Sequence, residues 1–474
     1  MVGSGDVEWI DAATAAERLG VKPATLYAYV SRGLLTRRHG DDRRSLFDAA
    51  EIERLARRGR PRGQPPELVV ESAVTALGLD RPYYRGRDAL TLARTSGFEA
   101  VAEWLWTGAP AAPAGAPEGA GWWACEEEAL RAAVKAQQGL PADLLPLDRL
   151  QVITTVLGAG DSLRHQLDPA SVAATGRRLI AGLVTALPQA DISEPSPSAD
   201  GIPGGETSGD GLSDDGVLGD GASGGGTSGE TTSDDSGDGT SGGGASGSRI
   251  PADVGSVAER LWTRLCPRPA TLGLLAALEA ALVLLADHEL AASTLAARVA
   301  ASARADPYAV VLTGLGVLGG PLHGGASYGA ERLLAEVTEP GRAARVIADR
   351  VRRGERIPGF GHSVYKNGDA RGELLLSLVQ EAAPGHERLA AAQAVLDEVR
   401  RRRLPERNVD FALAALTAVA GMVPGAGEAI FAVARTAGWL AHAMEEYERG
   451  SLLRLRASYT GPSPERATDT PSAT

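Results

Sequence analysis

The sequence predicts a mainly α-helical protein of two or more domains. Its 474 residues are enough for several domains and a sizeable core. Alanine and leucine dominate, aromatic residues make up 4% of the chain, and runs of β-branched residues are short, which favours helices over strands. One segment of different composition, residues 191–248, interrupts the helical patterns.

The acidic balance of the chain comes from that segment alone. The net charge is −12, and residues 191–248 hold twelve Asp or Glu residues and no Lys or Arg, so the remainder sums to zero. Eighteen of its residues are glycine, and apolar residues are scarce. Such a segment cannot bury enough apolar surface to offset the entropy of ordering. We therefore predict a disordered insertion between two helices of one domain, with an acidic docking role as an alternative.

Cysteine use and hydropathy predict a soluble, cytoplasmic protein. Two cysteines, Cys125 and Cys266, exclude a disulfide framework and fit a reducing compartment. Residues Met1–Asp6 lack the pattern of a secretory signal. The longest apolar run, Ala270–Ala286, is interrupted by Glu279 and is short for a membrane span.

The first part of the chain, residues 1–58, has an organisation of its own. A helix over Ala12–Leu19 ends at a Gly-Val turn, and Pro23 lies in the first turn of a second helix that stops at Gly33. A basic hairpin over Leu34–Phe47 and a helix over Asp48–Arg58 follow. This order resembles the winged helix-turn-helix of the MerR/excisionase type.

In that type the second helix enters the major groove of DNA and the wing contacts phosphates. The resemblance therefore implies DNA binding, but residues 1–66 carry twelve basic and nine acidic residues, a net charge of only +3. The alternative is a structural or regulatory module without affinity for DNA. The candidate base readers are Thr25 and Tyr29, and the candidate phosphate contacts are Arg37, Arg38, Arg43 and Arg44.

Beyond a Pro/Gly-rich linker, residues 59–66, helical patterns recur to a polar tail, residues 463–474, that we predict to be disordered. Four tryptophans with no accompanying charge or ligand pattern are expected in the core or at an interface: Trp104, Trp106, Trp122 and Trp123. The predicted helices are Phe98–Trp106, Leu147–Leu163, Ala173–Leu187, Ala270–Ala286 and Phe411–Met422.

Two histidines lie in Gly/Pro loops. His323 is within Gly319–Gly325 and His362 is within Arg356–Tyr365, and glycines let the backbone approach a ligand closely. Apolar spacing predicts one helix between the loops, over Tyr328–Arg353.

The unusual polar residues of this half suggest a site for a polyanion. None of His288, His323 and His362 lies three or four residues from another metal ligand, which argues against a metal centre. Neutral imidazoles as hydrogen-bond donors, a carboxylate base and arginine clamps form a coherent set. A buried structural role for His288 and surface ion pairs for Arg435 and Arg454 remain alternatives. The set is His288, His323, His362, Arg371, Asp410, Arg435 and Arg454.

These motifs together resemble type II-like bacterial citrate synthases, a family that includes 2-methylcitrate synthases. The resemblance covers residues 67–462 apart from the insertion. Three features depart from the family pattern: Ala370 replaces a proline before Arg371, Leu455 replaces a proline, and Ser327 and Tyr328 are atypical. The matching motifs are Tyr84–Gly86, Asp287–Leu290 with Ala292–Thr294, Gly320–Ala326, Pro358–His362 with Tyr365 and Lys366, Asn408–Asp410, Ala434–His442 and Arg454–Tyr459.

The resemblance implies a two-domain helical homodimer with its active site between the domains. The large domain would comprise residues 67–190, 249–326 and 421–462, and the small domain would comprise residues 327–420. Asp410 would be the base, His323 would stabilise the enol of acetyl-CoA, and His362 would polarise the ketone of oxaloacetate. The oxaloacetate-binding residues would be His288, Arg371, Arg435 and, from the neighbouring subunit, Arg454. The CoA-binding residues would be Arg356, Pro358, Gly359, Phe360, Gly361 and Lys366, with free backbone groups in the loop.

The implied activity is that of a citrate synthase of the tricarboxylic acid cycle, an acyltransferase that converts the acyl group into alkyl on transfer. Acetyl-CoA and oxaloacetate are substrates, and no cofactor is needed. One alternative is a 2-methylcitrate synthase that uses propionyl-CoA, since one methylene changes binding by only ~1–3 kcal/mol. The other is a DNA-binding regulator with a synthase-like sensor domain.

Overall fold

The computed structural model divides the chain into two compact units, Met1–Glu71 with Arg454–Thr474, and Ser72–Leu453. It describes residues 9–19, 21, 23–31, 34–39, 45–49, 51–52, 69–109, 123–190, 255–366, 368–455 and 461. Several predictions lie outside the described residues: the linker, the insertion, the tail, Trp122, Arg43 and Arg44.

The smaller unit contains two short helices and a three-stranded antiparallel sheet. The helices are α1 (Ala12–Leu19) and α2 (Pro23–Ser31), and the strands are β1 (Trp9–Asp11), β2 (Arg37–His39) and β3 (Ser45–Asp48), in the order β1-β3-β2. Ile10 pairs with Phe47, and Arg38 pairs with Leu46. Both helices and the β2–β3 pair occupy the predicted positions. Strand β1 was not predicted, because three residues are too few to show a period. The buried core of this unit includes Leu26, Leu35, Phe47 and Ile52.

The larger unit begins with a small antiparallel sheet that the sequence did not predict. Its strands are β4 (Thr75–Leu77), β5 (Pro82–Tyr84) and β6 (Arg87–Asp88). Tyr84 is fully buried, and its Oη lies 3.0 Å from the carbonyl oxygen of Val283 and 3.1 Å from that of Asp287. The sheet is thereby attached to the segment that carries His288.

The described remainder of this unit is almost entirely helical, which confirms the predicted fold class. Most helices begin at a side chain that accepts backbone N–H groups, as Asp306 does from Tyr308 and Ala309. The first helices are α3 (Ala89–Thr95), α4 (Phe98–Thr107), α5 (Glu127–Ala136), α6 (Pro146–Gly160), α7 (Pro169–Ala186), α8 (Val257–Leu265), α9 (Leu272–Leu285) and α10 (Ala292–Ser302). They are followed by α11 (Pro307–Leu318), α12 (Gly325–Glu336), α13 (Ala343–Arg352), α14 (Ala370–Ala382), α15 (Glu387–Arg401), α16 (Val409–Ala420) and α17 (Ala426–Arg449).

The predicted helices are present, with ends displaced by up to four residues, except between the two histidine loops. The single helix predicted over Tyr328–Arg353 is wrong, because α12 and α13 are separate helices. A 3₁₀ turn over Pro340–Arg342 lies between them. Pro340 lacks the N–H that a continuous helix needs, and apolar spacing alone did not reveal this break.

Helix α17 forms the centre of the core and is buried over most of its length. Trp439 is fully buried, and a Cβ at Gly314 of α11 would lie only 2.6 Å from its ring, so the two helices need glycine there to approach so closely. The predicted core tryptophans Trp106 and Trp123 are buried and stacked at 5.6 Å, whereas Trp104 is partly buried. Among the described residues, no helix is long and apolar enough to cross a membrane.

Candidate active site

The first histidine loop leads from α11 into α12 and holds His323 against two side chains of the core. Its Nε2 lies 2.6 Å from the hydroxyl of Ser293, and Trp439 donates its indole N–H to that same hydroxyl oxygen at 3.2 Å. This arrangement favours donation of the serine hydrogen to His323 Nε2, which leaves the ring hydrogen on Nδ1. Burial, and secondarily the charge of Arg435, lower the pKa of His323 to about 4. The imidazole is therefore neutral at physiological pH.

The second loop places His362 beside His288 and Tyr365. Nδ1 of His362 accepts the backbone N–H groups of Val364 at 3.0 Å and Tyr365 at 3.1 Å, so the neutral ring carries its hydrogen on Nε2. Burial, together with the charge of Arg371, lowers the pKa of His362 to about 4. The rings of His288 and His362 are 5.2 Å apart. His288 and His362 are therefore neighbouring imidazoles.

His288 is buried, and Tyr365 supplies its polar contact. Nε2 of His288 lies 3.0 Å from the phenolic oxygen of Tyr365, whose ring stacks on His362 at 4.7 Å. Burial and then the charges of Arg371 and Arg435 place the pKa of His288 well below its usual value. Tyr365 thus contacts both imidazoles, a role that the sequence did not reveal.

Arg371 is held by a carboxylate at the start of α14. Its Nε and Nη2 donate to the two oxygens of Asp369 at 3.0 and 2.9 Å, and both side chains are buried. Asp369 also accepts the N–H of Val409 at 3.1 Å, which ties this pair to the start of α16. Ala370 donates its N–H to the carbonyl of Asp80 at 3.0 Å, a bond that the family's usual proline could not make. This replacement therefore adds an attachment to the loop.

Asp410 lies in the first turn of α16 and is partly buried. Its Oδ1 accepts the hydroxyl of Ser327 at 2.5 Å. Burial raises the pKa of Asp410 to about 6, against the opposing effects of the Ser327 hydrogen bond and of the positive charge on Arg371. A carboxyl group with that pKa can accept a proton near neutral pH.

Arg435 of α17 is 1% exposed, so the surface ion-pair alternative is wrong for it. Its Nε donates to the carbonyl of Leu285 at 2.8 Å, whereas Nη1 and Nη2 are buried without a hydrogen-bond partner among the described residues. Burial lowers its pKa to about 10, which leaves the side chain charged at neutral pH. Its guanidinium lies 4.7 Å from the ring of Phe431, which in turn contacts His323. Two unpaired buried donors on one cation are suited to a carboxylate ligand.

The proposed CoA loop has fewer free backbone groups than expected. Gly361 donates its N–H to Glu406 O at 2.7 Å, and Asn408 bonds the carbonyls of Gly359 and Gly361 at 3.0 and 2.9 Å. The expectation of free groups is therefore wrong at these positions, since the loop uses them to attach to the segment before α16. Pro358 and Phe360 are partly buried, and the Phe360 ring packs on Phe411. Arg356 and Lys366 are exposed.

The larger unit thus brings together six of the seven predicted substrate and catalytic residues: His288, His323, His362, Arg371, Asp410 and Arg435. Arg454 falls in the smaller unit, where its side chain is exposed, and its role stays a prediction. Among the described residues, no three His, Cys, Asp or Glu side chains could together hold a metal ion. Four contacting residues were not identified from the sequence: Ser293, Ser327, Tyr365 and Asp369.

A helical protein with buried guanidinium groups, neutral imidazoles and a carboxyl of raised pKa has a site suited to a carboxylate substrate. The family model described as "Citrate synthase, C-terminal domain" matches residues 66–456. That match covers most of the chain, which therefore belongs to the citrate synthase family.

Several known proteins are similar to the chain. It is 39% identical over 186 residues to Citrate synthase 2 of Bacillus subtilis, covering 38% of this chain and 50% of that protein. It is 34% identical over 186 residues to 2-methylcitrate synthase 1 of Corynebacterium glutamicum, covering 39% of this chain and 49% of that protein. The chain thus spans about half the length of these relatives. Its fold is similar to that of the Thermoplasma acidophilum citrate synthase in complex with carboxymethyl coenzyme A and oxaloacetate, with a TM-score of 0.60, 20% identity, and coverage of 85% of this chain and 96% of that chain.

Proposed function

We propose that the protein is a citrate synthase, which condenses acetyl-CoA, oxaloacetate and water to citrate and CoA. The observation that carries this proposal is the buried guanidinium of Arg435, whose Nη1 and Nη2 have no hydrogen-bond partner among the described residues and whose charge acts on His288 and His323. A buried cation of this kind calls for an anionic ligand. Oxaloacetate offers two carboxylates and a ketone, which match two arginines and a histidine N–H donor.

Oxaloacetate binds through charge-assisted hydrogen bonds in this proposal. Arg435 donates through Nη1 and Nη2, and Arg371 offers the part of its guanidinium that Asp369 does not occupy. His362 donates its Nε2–H to the ketone oxygen, because Nδ1 is already used as an acceptor. His288, fixed by Tyr365, completes the contacts.

Carbon–carbon bond formation follows from Asp410 and His323. Asp410 removes a proton from the methyl group of acetyl-CoA, while His323 donates a hydrogen bond to the thioester oxygen and stabilises the enol. The enol carbon attacks the ketone carbon of oxaloacetate, and the ketone oxygen takes the proton of His362 Nε2; solvent replaces that proton, and Asp410 releases the methyl proton to solvent. Water then cleaves the thioester of citryl-CoA to citrate and CoA. Arg356, Lys366 and the loop Pro358–Gly361 bind CoA in this scheme.

The choice of thioester is the main open point within this activity. Both citrate and 2-methylcitrate synthases are among the relatives, and the two acyl groups differ by one methylene. A thiol-release assay with oxaloacetate decides this point by comparing kcat/KM for acetyl-CoA and propionyl-CoA. We expect a larger value with acetyl-CoA. A larger value with propionyl-CoA supports the methylcitrate alternative, and release with neither thioester refutes the proposal.

We further propose a cytoplasmic homodimer of the tricarboxylic acid cycle, with a small domain over residues 327–420 that moves against the rest. Arg454 of the partner subunit then contributes to oxaloacetate binding. Sedimentation of the purified full-length protein tests the dimer. Mixing R435M and R454M chains tests the sharing of residues between subunits, because mixed dimers then recover one intact site.

A second candidate function concerns the smaller unit, which we propose to be a winged helix-turn-helix module that binds duplex DNA. Arg37 and Arg38 of β2 are exposed, and their guanidinium groups lie over the rings of Tyr27 and Trp9, at 5.7 and 4.5 Å. Tyr27 of α2 is 41% exposed. Tyr29 packs partly against the core of the unit, which leaves less of its ring for base contacts, and Thr25 is partly buried.

Duplex binding by the full chain at several salt concentrations tests this module. We expect affinity that falls steeply with salt and is weakened by R37A/R38A. If oxaloacetate or acetyl-CoA changes that affinity, the protein acts as a regulator with a synthase-like sensor. Equal, negligible binding by both proteins at low salt refutes the DNA-binding function.

A further inference from the structure

Ser327 lies beside the carboxyl group assigned above as the base. It is fully buried at the third position of α12, and its Oγ is 2.5 Å from Oδ1 of Asp410. Its own backbone N–H is used by the carbonyl of Gly324 at 2.8 Å, which fixes the residue at the start of the helix. The serine is also one of the positions at which this chain departs from the family pattern.

The chemistry of the two groups fixes the direction of this hydrogen bond in the active form. An ionised carboxylate can only accept, so the single hydroxyl hydrogen of Ser327 points at Oδ1 of Asp410. The other oxygen, Oδ2, has no hydrogen-bond partner among the described residues. The two carboxylate oxygens are therefore not equivalent: Oδ1 is held, and Oδ2 is left to accept a proton.

We propose that Ser327 is a positioning residue that orients Asp410 so that Oδ2 is the proton acceptor, and that stabilises the ionised carboxylate. This inference rests on the proposed function. Ser327 follows His323 by four residues, on the helix that begins at the end of the His323 loop. One short segment therefore carries the imidazole that stabilises the enol and the hydroxyl that holds the base, which keeps these two groups in register.

The hydroxyl of Ser327 is one of the groups that set the pKa of Asp410. Burial raises the pKa of the carboxyl, and the charge of Asp369 raises it further; the Ser327 hydrogen bond and the charges of Arg371 and Arg435 lower it. Of the three groups that lower this pKa, Ser327 is the one that donates a hydrogen bond to the carboxylate. Removing its hydroxyl therefore makes Asp410 harder to ionise and leaves Oδ1 without its donor.

The test compares S327A, S327T and a matched control, S302A. Ser302 is also buried in a helix, but its hydroxyl donates to the carbonyl of Val299. In S327A the fall of kcat/KM for acetyl-CoA at low pH (the acid limb of the pH profile) should begin about one pH unit higher. At pH 5 this corresponds to a loss of about tenfold in kcat/KM. The KM for oxaloacetate should change little. S327T keeps a hydroxyl and should restore the limb, and S302A should match the wild type.

A loss of the same size at every pH, or an unmoved acid limb in S327A, overturns the inference, because a merely structural role does not shift a titration. A double-mutant cycle with D410N adds a readout that does not need turnover. The S327A change should lower the Tm more at pH 8 than at pH 5 when Asp410 is present, and by the same amount at both when it is Asn. A pH-independent effect in both backgrounds also overturns it. If the wild type is inactive but the cycle shows the expected pH-dependent difference in Tm, the proposed function is refuted and the contact between Ser327 and the ionised Asp410 stands.

Discussion

Replacing Arg435 with methionine should greatly weaken oxaloacetate binding without destabilising the protein. The guanidinium is buried and donates one hydrogen bond to Leu285, whereas Nη1 and Nη2 have no hydrogen-bond partner in the part of the chain that the structure describes. Methionine is similarly long and unbranched, so R435M removes the charge and the donors while filling most of the space. Substrate binding should fall while stability hardly changes, which makes this substitution informative.

The loss of binding follows from the two unpaired donors. Each charge-assisted hydrogen bond to a carboxylate contributes about 1.5–3 kcal/mol, so losing both costs about 3–6 kcal/mol. This corresponds to an increase of about 10²–10⁴-fold in the KM for oxaloacetate. Stability should change by less than about 1 kcal/mol, because losing the Leu285 bond and the attraction to buried Asp287 is offset by removing the desolvation cost of a buried charge.

The control is R177M, which removes a buried arginine that is already paired. Arg177 and Glu103 form a bidentate ion pair, with Nη2 2.9 Å from Oε2, so the substitution leaves Glu103 buried and unpaired. We expect R177M to cost about 3–5 kcal/mol of stability. Thermal unfolding with and without oxaloacetate, together with steady-state kinetics, measures all of these effects. If oxaloacetate raises the Tm of R435M as much as that of the wild type, the assignment of Arg435 to the substrate is wrong.

Three further predictions concern other parts of the larger unit. Burial and then the neighbouring Glu331 raise the pKa of Glu428 to about 7, above its unfolded value near 4.5. The folded state therefore binds the proton more tightly than the unfolded state, and stability falls as the pH rises from about 4.5 to 7. The E428Q variant should therefore be more stable than the wild type at pH 8, by about 2 kcal/mol, and little different at pH 5; equal gains at both pH values in urea unfolding would falsify this reasoning. The Y365F variant removes the hydroxyl next to His288 Nε2 but keeps the ring on His362, so the KM for oxaloacetate should rise about 2–12-fold, from a hydrogen bond of about 0.5–1.5 kcal/mol, with a smaller change in kcat. An unchanged KM contradicts the role of Tyr365. The G359A variant places a Cβ 2.8 Å from Phe411 at a residue whose φ is +82°. The substitution should cost about 1–3 kcal/mol of stability and raise the KM for acetyl-CoA. The control is G341A, whose added Cβ would meet no atom within 4 Å. Equal Tm values for the two glycine variants would count against a strained loop.

The residues of the candidate site were largely accessible from the sequence because they occur in short motifs whose composition is unusual. His323 and His362 lie in Gly/Pro loops, and Arg371 and Asp410 each follow a few polar residues at the start of a helix. The helices were accessible for a related reason, since apolar periodicity reports which face is buried. The apolar run Ala270–Ala286 was predicted to be a buried helix, and the helix spans Leu272–Leu285 with Thr271 as its cap.

Contacts between distant segments were not accessible in the same way. Tyr365 contacts His288 from 77 residues away, and Ser327 contacts Asp410 from 83 residues away. Nothing in local composition reports such a pairing, so Ser327 could be noted only as atypical. The hydrogen bond from Ala370 to Asp80 is similar: the sequence showed a missing proline, and only the fold shows what its N–H contacts.

The small sheets and the helix break illustrate a different limit. Strands β4, β5 and β6 contain only two or three residues each, too few to establish a period of two. The break between α12 and α13 depends on Pro340, whose effect on the backbone outweighs the continuous apolar spacing on either side of it. In both cases tertiary packing and backbone chemistry decided the structure.

In the proposed mechanism, Asp410 is the base of a citrate synthase. The most direct measurement is thiol release from acetyl-CoA in the presence of oxaloacetate, compared between the wild type and D410N. Asparagine keeps the size of the side chain and can still contact Ser327, but it cannot take up the methyl proton. We predict oxaloacetate-dependent release by the wild type and a loss of about 10²–10⁴-fold in D410N, with oxaloacetate binding retained. If D410N turns over as fast as the wild type, Asp410 is not the base.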